Sequence, residues 1–284
     1  MKIGILINES KEEARALQLE LMAWLEARGI ATACPRDVYC RENVDLDKAL
    51  HQLDQADVIL VLGGDGTLIH AALLLAGRNT PLLGVNLGRL GFLTSLERDT
   101  LYQGLEKFFR GEYRIDERMM FDVELFRNDC MIGSTRVLND AVVSKDALAR
   151  MVDIRIRING EFVDRYSADG LIIATPTGST AYSMSAGGPI VAPNLSAVIL
   201  TPICAHTLSS RPMVVSGEEE VEVTLLKAST DVMLTCDGQT GMRMKVGDMV
   251  RIRRSTVRTR FVRFWDRSFY DILHEKLNPG VSNG

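Results

Sequence analysis

The segment that most constrains the fold is residues 57–77, DVILVLGGDGTLIHAALLLAG. Five apolar residues, Val58 to Leu62, run into Gly63-Gly64-Asp65-Gly66-Thr67, and a helix-like stretch follows at once. A continuous apolar run closed by glycines reads as a strand buried on both faces, the habit of parallel sheets covered by helices. The surrounding chain repeats that alternation. Ile3 to Ile7 is a short apolar strand, and Ser10 stands three residues before Glu13 as a capping box. Ala14, Leu17, Leu21 and Leu25 recur at helical spacing, ended by Arg28-Gly29. IATAC then reads as a strand, Leu46 to Ala56 as a helix, VILVL as a strand, Thr67 to Ala76 as a helix and PLLGVNL as a strand. The expectation is an α/β N-terminal domain with a parallel sheet over residues 1–118.

From about Met119 the texture changes. FDVELF leads to a turn at RND, and VDIRIRINGEFVDRY alternates Ile154, Ile156 and Ile158 with arginines before Asn159-Gly160. Asn-Gly between alternating strands is a strong hairpin signal, because both residues tolerate positive φ. GLIIAT, AVILTPI, VEVTLL, DVMLTC and MVRIRR add strand-like runs, so residues 119–256 are expected to form a β-rich, β-sandwich-like C-terminal domain. Residues 257–284 form a C-terminal segment, where RSFYDILHEKL suggests a short helix with Phe269, Ile272, Leu273 and Leu277 on one side.

Charge and cysteine content narrow the function. A formal net charge of −4 argues against a nucleic-acid or membrane-surface binder. The basic run RIRRSTVRTRFVRF, Arg251 to Phe264, is read as a solvated strand face in preference to an anion site. Five scattered cysteines without a CxxC pair suit reduced thiols, and no apolar run is long enough for a membrane span. MKIGILINES lacks the pattern of a signal peptide, so a cytoplasmic location is expected.

In an open parallel sheet, ligands bind beyond the carboxyl ends of the strands. Gly63 to Gly66 lies at such an end, just ahead of a helix N-terminus. Glycines let backbone amides approach phosphate oxygens, which makes Gly63, Gly64, Gly66 and Thr67 candidate phosphate contacts. The segment is neither GxxxxGK[ST] nor GxGxxG. A carboxylate inside a phosphate loop repels phosphate, so Asp65 must offset that cost. It could hold a metal bridging phosphates or accept a proton from an attacking hydroxyl, both pointing to phosphoryl transfer. The plainer alternative is a tight turn with Asp65 capping the helix.

A second loop, SADGLIIATPTGSTAYSMSAGGPI (167–190), crowds hydroxyls and glycines around Thr175, Thr177, Ser179, Thr180, Tyr182, Ser183 and Ser185. Such residues suit sugar hydroxyls and phosphates, and Tyr182 offers a face for a purine or nicotinamide ring. In LND, Asn139 offers donor and acceptor together, while Asp140 can accept from a ribose diol. His70 and His206 are read as packed or surface residues.

Together, GGDGTLIHAA, GVNLGRLGFLT, LNDAVV, DGLIIATPTGSTAYSMSAGGPIVAP, HTLSSRPMVV and CDGQ resemble the bacterial-type NAD kinase family over nearly the whole chain. Gly-Gly-Asp-Gly-Thr alone is shared with lipid kinases; the Thr/Ser/Gly loop is far more specific. The resemblance implies phosphorylation of the adenosine-ribose 2′-hydroxyl of NAD by ATP with a divalent cation, Mg²⁺ above all, to give NADP. Some members also accept inorganic polyphosphate. It implies that Asp65 is the catalytic proton acceptor, that Gly66 contacts the dinucleotide and that Phe92 lines an adenine pocket. Asn139 and Asp140 would hold a ribose diol, and Arg150 falls at a ligand-touching position. Ser167, Asp169, Thr177, Thr180, Ala181, Tyr182, Ser183, Met184 and Ser185 would line the dinucleotide, with Gln239 a late contact. The implied partners are NAD, ATP and further copies of the chain, as homodimer or homotetramer. Many relatives read Arg-Ser-Asp-Gly where this chain has Ser167-Ala168-Asp169-Gly170. A lipid or sphingoid kinase would need an apolar cleft that this loop does not suggest. A dinucleotide sensor without turnover would be better served by an uncharged residue at position 65.

Overall fold

The computed structural model describes residues 1–9, 11–35, 38, 46–88, 90–145, 151–206 and 210–278. They fall into two compact units: Met1–Glu117 with Thr259–Gly284, and Arg118–Arg258.

Unit 1 is built on parallel strands in the spatial order Ala31–Ala33, Lys2–Ile7, Val58–Leu62 and Leu82–Asn86. Leu96–Glu97 pairs with the last of these, and Phe261 lies opposite Leu82, so the C-terminal segment extends the sheet. All five residues of Val58–Leu62 are buried, as expected of a strand covered on both faces. On one face Ile3, Ile5, Val58, Leu60 and Val85 pack with Leu17, Leu21 and Leu25 of the helix Glu12–Glu26 and with Leu101 and Leu105 of Leu101–Phe109. On the other, Leu53 and Leu68 close over Gly4 and Gly84. Ser10 lies outside the described residues; the first helix starts after Lys11 without a side-chain cap. The next helix is shorter than its apolar pattern, Leu46–His51, and the chain then turns through Gln55 at φ 63°.

The helix after the glycines also differs from expectation. It spans Asp65–Leu74 with Gly64 as N-cap, two residues ahead of the expected start at Thr67. The tail forms the helix Phe269–Leu277, capped reciprocally by Ser268 and Asp271. Ile272 is buried, whereas Leu277 is 49% exposed, because the helix ends there.

Unit 2 is a β-sandwich-like body. One antiparallel sheet runs Met213–Ser216, Ala197–Ile203, Gly170–Ala174, Asp140–Lys145, Val232–Cys236 and Thr240–Met244. A second set runs Glu161–Ala168, Val152–Ile158, Val221–Lys227 and Met249 onward, also antiparallel. One core joins them, with Ala141, Val143, Leu171 and Ile173 from the first sheet against Ile154, Ile156, Val221 and Val223 from the second. Asn159 and Gly160 both have positive φ, as the Asn-Gly hairpin requires, and Asn128-Asp129 makes the corresponding turn after RND.

The basic run lies on the strand Met249–Arg263 and is matched with acids. Arg251 pairs with Glu222, Arg253 with Glu124 and Arg254 with Glu218, so the run is a paired strand face. Cys34, Cys130, Cys204 and Cys236 are free thiols. Among the described residues no helix is long and apolar enough to cross a membrane.

Candidate active site

In unit 1 the strand Val58–Leu62 delivers the chain to Gly63, whose amide donates to Val85 O at 2.9 Å. The helix opens immediately, with Thr67 and Leu68 donating back to Gly64 O. The amides of Asp65 and Gly66, ahead of these, have no intrahelical acceptor and carry the positive end of the helix dipole. Thr67 folds back over Gly63, while among the described residues nothing beyond its chain neighbours and its own helix backbone lies within 4 Å of where a Cβ on Gly66 would stand.

Asp65 occupies the first helical position, but its carboxylate turns away from its own helix. Oδ2 accepts from the Phe92 amide at 2.8 Å, and Oδ1 accepts from Leu93 and Thr94 at 3.1 and 3.2 Å. A run of consecutive amides converging on one anion is a nest. Gly91 lets the carboxylate enter, since a Cβ there would stand 1.9 Å from Asp65 Oδ1. Phe92 contributes its amide to the nest and packs its ring 6.4 Å from that of Phe269. The nest is tied from behind by Arg263, a buried cation on the last strand. Its guanidinium donates to Phe92 O at 2.9 Å and Thr94 O at 3.1 Å and pairs with Asp116 at 3.3 Å.

Unit 2 holds a matching arrangement that sequence reasoning missed. Asp237 Oδ2 accepts from Leu138 N at 2.8 Å, and Oδ1 accepts from Asn139 and Asp140 at 2.7 and 3.0 Å. The signal was present as Asp237-Gly238 between strands, which reads as a hairpin turn, and both residues do have positive φ. On the opposite side Asn139 O accepts from Thr175 N at 2.8 Å, and a Cβ on Gly178 would stand 2.2 Å from Asn139 O.

The hydroxyl-rich loop forms a short 3₁₀ turn, Thr177–Thr180, and one helical turn, Tyr182–Ser185. Several of its hydroxyls are bound within the protein. Thr175 Oγ1 donates to Leu138 O at 2.6 Å, Ser179 Oγ lies 2.7 Å from Pro176 O, and Ser183 Oγ lies 2.9 Å from Thr201 Oγ1. Thr177 is buried with Arg118 3.4 Å from its hydroxyl. Thr180, Ala181 and Met184 are half-buried, whereas Tyr182 and Ser185 are exposed.

A cavity of about 370 Å³ brings together Asn139, Asp140, Ala181, Tyr182 and Asp237. Asp140 is only 5% exposed, and burial followed by repulsion from Asp237 pushes its carboxyl up to about 7. Asp237 is itself raised by burial, against the opposing pull of its three amides. The neighbouring Cys236 thiol is pushed up to about 12, mainly by burial, and is inert as a nucleophile. A second cavity, about 610 Å³, is lined by Lys145, Asp153, Ser167, Asp169, His206 and Lys227. There Lys145 meets Asp169 at 2.7 Å and Arg165 holds Asp153 at 2.7 Å. Gln239 is exposed in the turn after Asp237, its amide on Cys236 O; Arg150 lies outside the described residues.

These features define a class: a parallel α/β unit with a glycine-lined anion end at a strand terminus, joined in one chain to a β-sandwich with a hydroxyl-rich loop. Comparison with known proteins is specific. Residues 3–113 match the ATP-NAD kinase N-terminal domain and residues 138–264 the ATP-NAD kinase C-terminal domain. The NAD kinase of Geobacter metallireducens is 46% identical over 280 residues, covering 98% of this chain and 99% of that one. The NAD kinase of Moorella thermoacetica is 43% identical over 291 residues, covering 99% and 90%. An NAD kinase from Archaeoglobus fulgidus, solved in complex with ATP, superposes with a TM-score of 0.75 at 27% identity, covering 98% of each chain. Yeast NADH kinase complexed with NADH shares the fold, with a TM-score of 0.86 at 24% identity over all of this chain and 89% of that one. The chain belongs to the ATP-NAD kinase family.

Proposed function

We propose that this protein is an NAD kinase, transferring the terminal phosphoryl group of ATP to the 2′-hydroxyl of the adenosine ribose of NAD. The observation that carries the reading is the Asp65 carboxylate, held rigidly at the positive end of a helix. Oδ1 takes two amide hydrogen bonds and Oδ2 takes one, so Oδ2 keeps the better-placed lone pair for a hydroxyl proton. As the hydroxyl oxygen bonds to phosphorus and ADP leaves, the hydroxyl proton passes to Asp65. Gly64 and Gly66 supply the backbone against which the donor phosphates lie, since the amides of Gly63 and Thr67 are already taken by Val85 O and Gly64 O.

Family membership supports ATP as donor, and inorganic polyphosphate is a second donor to test. Magnesium keeps phosphate and water oxygens as most of its shell, so an ion carried in by ATP needs few ligands from the protein. When bound, that ion offsets the charge of the phosphates.

In unit 2 we assign Asn139 and Asp140 to a ribose diol and Tyr182 to stacking on a base. Ser167 and Asp169 take the other end of the dinucleotide. The strand Asp140–Lys145 supports this: Asp140, Val142 and Ser144 line one cavity along its length, and Lys145 at its far end lines the other. Self-association as a homodimer or homotetramer and a cytoplasmic location complete the reading, the latter in keeping with free thiols.

The test is incubation with NAD and Mg-ATP, with NADP read by an NADP-specific dehydrogenase. Asp65→Asn is expected to lower kcat by at least about 10²-fold with NAD binding largely retained. Absence of NADP formation by the native protein would sink the reading. Equal loss of binding and turnover in the variant would make Asp65 structural alone.

A further inference from the structure

We propose that Asp237 is a positioning residue for substrate binding, holding Asn139 and Asp140 in the orientation in which both face the ligand cavity. This rests on the reading of those two residues as the ribose-binding pair.

The geometry is specific to the function of a clamp. Asp237 gathers the amides of Leu138, Asn139 and Asp140 at 2.8, 2.7 and 3.0 Å, and its own amide donates back to Asp140 O at 2.9 Å. From the other side Thr175 N holds Asn139 O at 2.8 Å. The backbone that carries the pair is therefore fixed from both flanks, and the side chains inherit that orientation. A short loop carrying two unanchored polar residues would have to be ordered by its ligand, at a cost in affinity.

Asp237 has a second effect. Among the described residues nothing donates a hydrogen bond to the Asp140 carboxyl, which is 5% exposed and lines the same cavity. The titratable groups near it are Asp237 and Cys236 from the adjoining hairpin and Tyr182 from the loop helix; the neighbouring strand Gly170–Ala174 brings none. A buried carboxyl facing another carboxyl is a poor neighbour for anions and a strong acceptor for hydroxyl donors. A vicinal diol supplies such donors without adding charge. Asp237 thus sets both where Asp140 points and what chemistry it favours.

Asp237→Asn is the informative variant, because Asn tolerates the residue's φ of 50°. An amide keeps one oxygen for the Asn139 and Asp140 amides but presents N–H₂ to the Leu138 amide, donor against donor. The expected result is a KM for NAD raised about tenfold, with kcat and the KM for ATP changed less than about threefold. The acid limb of kcat/KM for NAD should also move to lower pH, since Asp140 loses its like-charged neighbour. An unchanged KM for NAD, or a uniform loss of all constants tracking a lower Tm, overturns the proposal. Asp140→Asn in the same assays separates the two readings. If it raises the KM for NAD and Asp237→Asn does not, only the positioning role fails. If neither does, the ribose assignment fails with it. Should Asp237→Asn not fold, hydrogen exchange on the native protein decides. Protection of the 138–140 amides that NAD increases supports the clamp, and free exchange with and without NAD overturns it.

Discussion

Two carboxylates in this molecule do nearly the same thing for different ends. Asp65 and Asp237 each accept three consecutive backbone amides, at 2.8–3.2 Å and 2.7–3.0 Å. Each nest has a glycine packed against it, Gly91 on the Asp65 carboxylate and Gly178 on Asn139 O. The difference lies in what is held. In unit 1 the amides hold the carboxylate, and the carboxylate is the group assigned to the chemistry. In unit 2 the carboxylate holds the amides, and two of the residues carrying them, Asn139 and Asp140, are the ones assigned to the ligand. The same hydrogen bonds can thus fix a reactive group or fix the frame around one.

Crowding the two nests should separate these roles. Gly91→Ala forces a methyl into Asp65, and kcat is expected to fall about 10²-fold, since displacing a positioned group by about 1 Å costs that much. A smaller effect, of another kind, is expected for Gly178→Ala. Its Cβ meets backbone atoms of Asn139 that cannot give way, so the KM for NAD should rise about tenfold, with about 1–3 kcal/mol lost in chemical denaturation. If both variants lower kcat alone, the contrast between the nests is wrong.

Asp140 gives the unit 2 nest a signature in pH. Its carboxyl titrates at about 7 in the absence of ligand, raised by burial and then by Asp237. Hydroxyl donors favour the ionised form, so NAD should bind best above that value and weaken as pH falls through it. kcat/KM for NAD is expected to drop about tenfold from pH 8 to pH 6 through this group, and Asp140→Asn should remove that dependence. The sign for stability is opposite. A carboxyl raised in the folded state costs stability once pH exceeds its unfolded value, and the cost is complete above about 7. The smallest effect is expected behind the first nest. Arg263→Lys keeps the charge but loses the fork that spans Phe92 O and Thr94 O, and a severalfold lower kcat with little change in either KM would fit.

The sequence disclosed the parts of this scheme that are local. The strand, the glycines and the Asn159-Gly160 hairpin follow from residue type and period, and they stand where the pattern puts them. The helix starts two residues ahead of its apolar pattern: glycine disfavours helix interiors, but Gly64 serves here as the cap itself. The hydroxyl loop is legible as unusual, but not which of its hydroxyls are engaged within the protein. Nothing local says that Ser183 turns inward to Thr201, 18 residues on, instead of outward to a ligand. Asp237 hid behind its own good explanation as a turn residue. Arg263 was invisible for a different reason: it reaches Phe92 across 171 residues, and no spacing rule covers that distance.

That long reach bears on how the protein is made. Unit 2 is continuous, so everything it needs has been synthesised by residue 258, whereas unit 1 is interrupted and resumes at Thr259. Val262 and Phe264 belong to the same core as Ile3 and Val58, and Arg263 between them ties the turn that grips Asp65. During translation the earlier part of unit 1 must therefore wait, its apolar sheet short of these residues, until the segment from Thr259 leaves the ribosome. A chain broken off before Thr259 would keep the residues of the Asp237 clamp yet lack the Arg263 anchor behind Asp65, the carboxylate assigned to the chemistry.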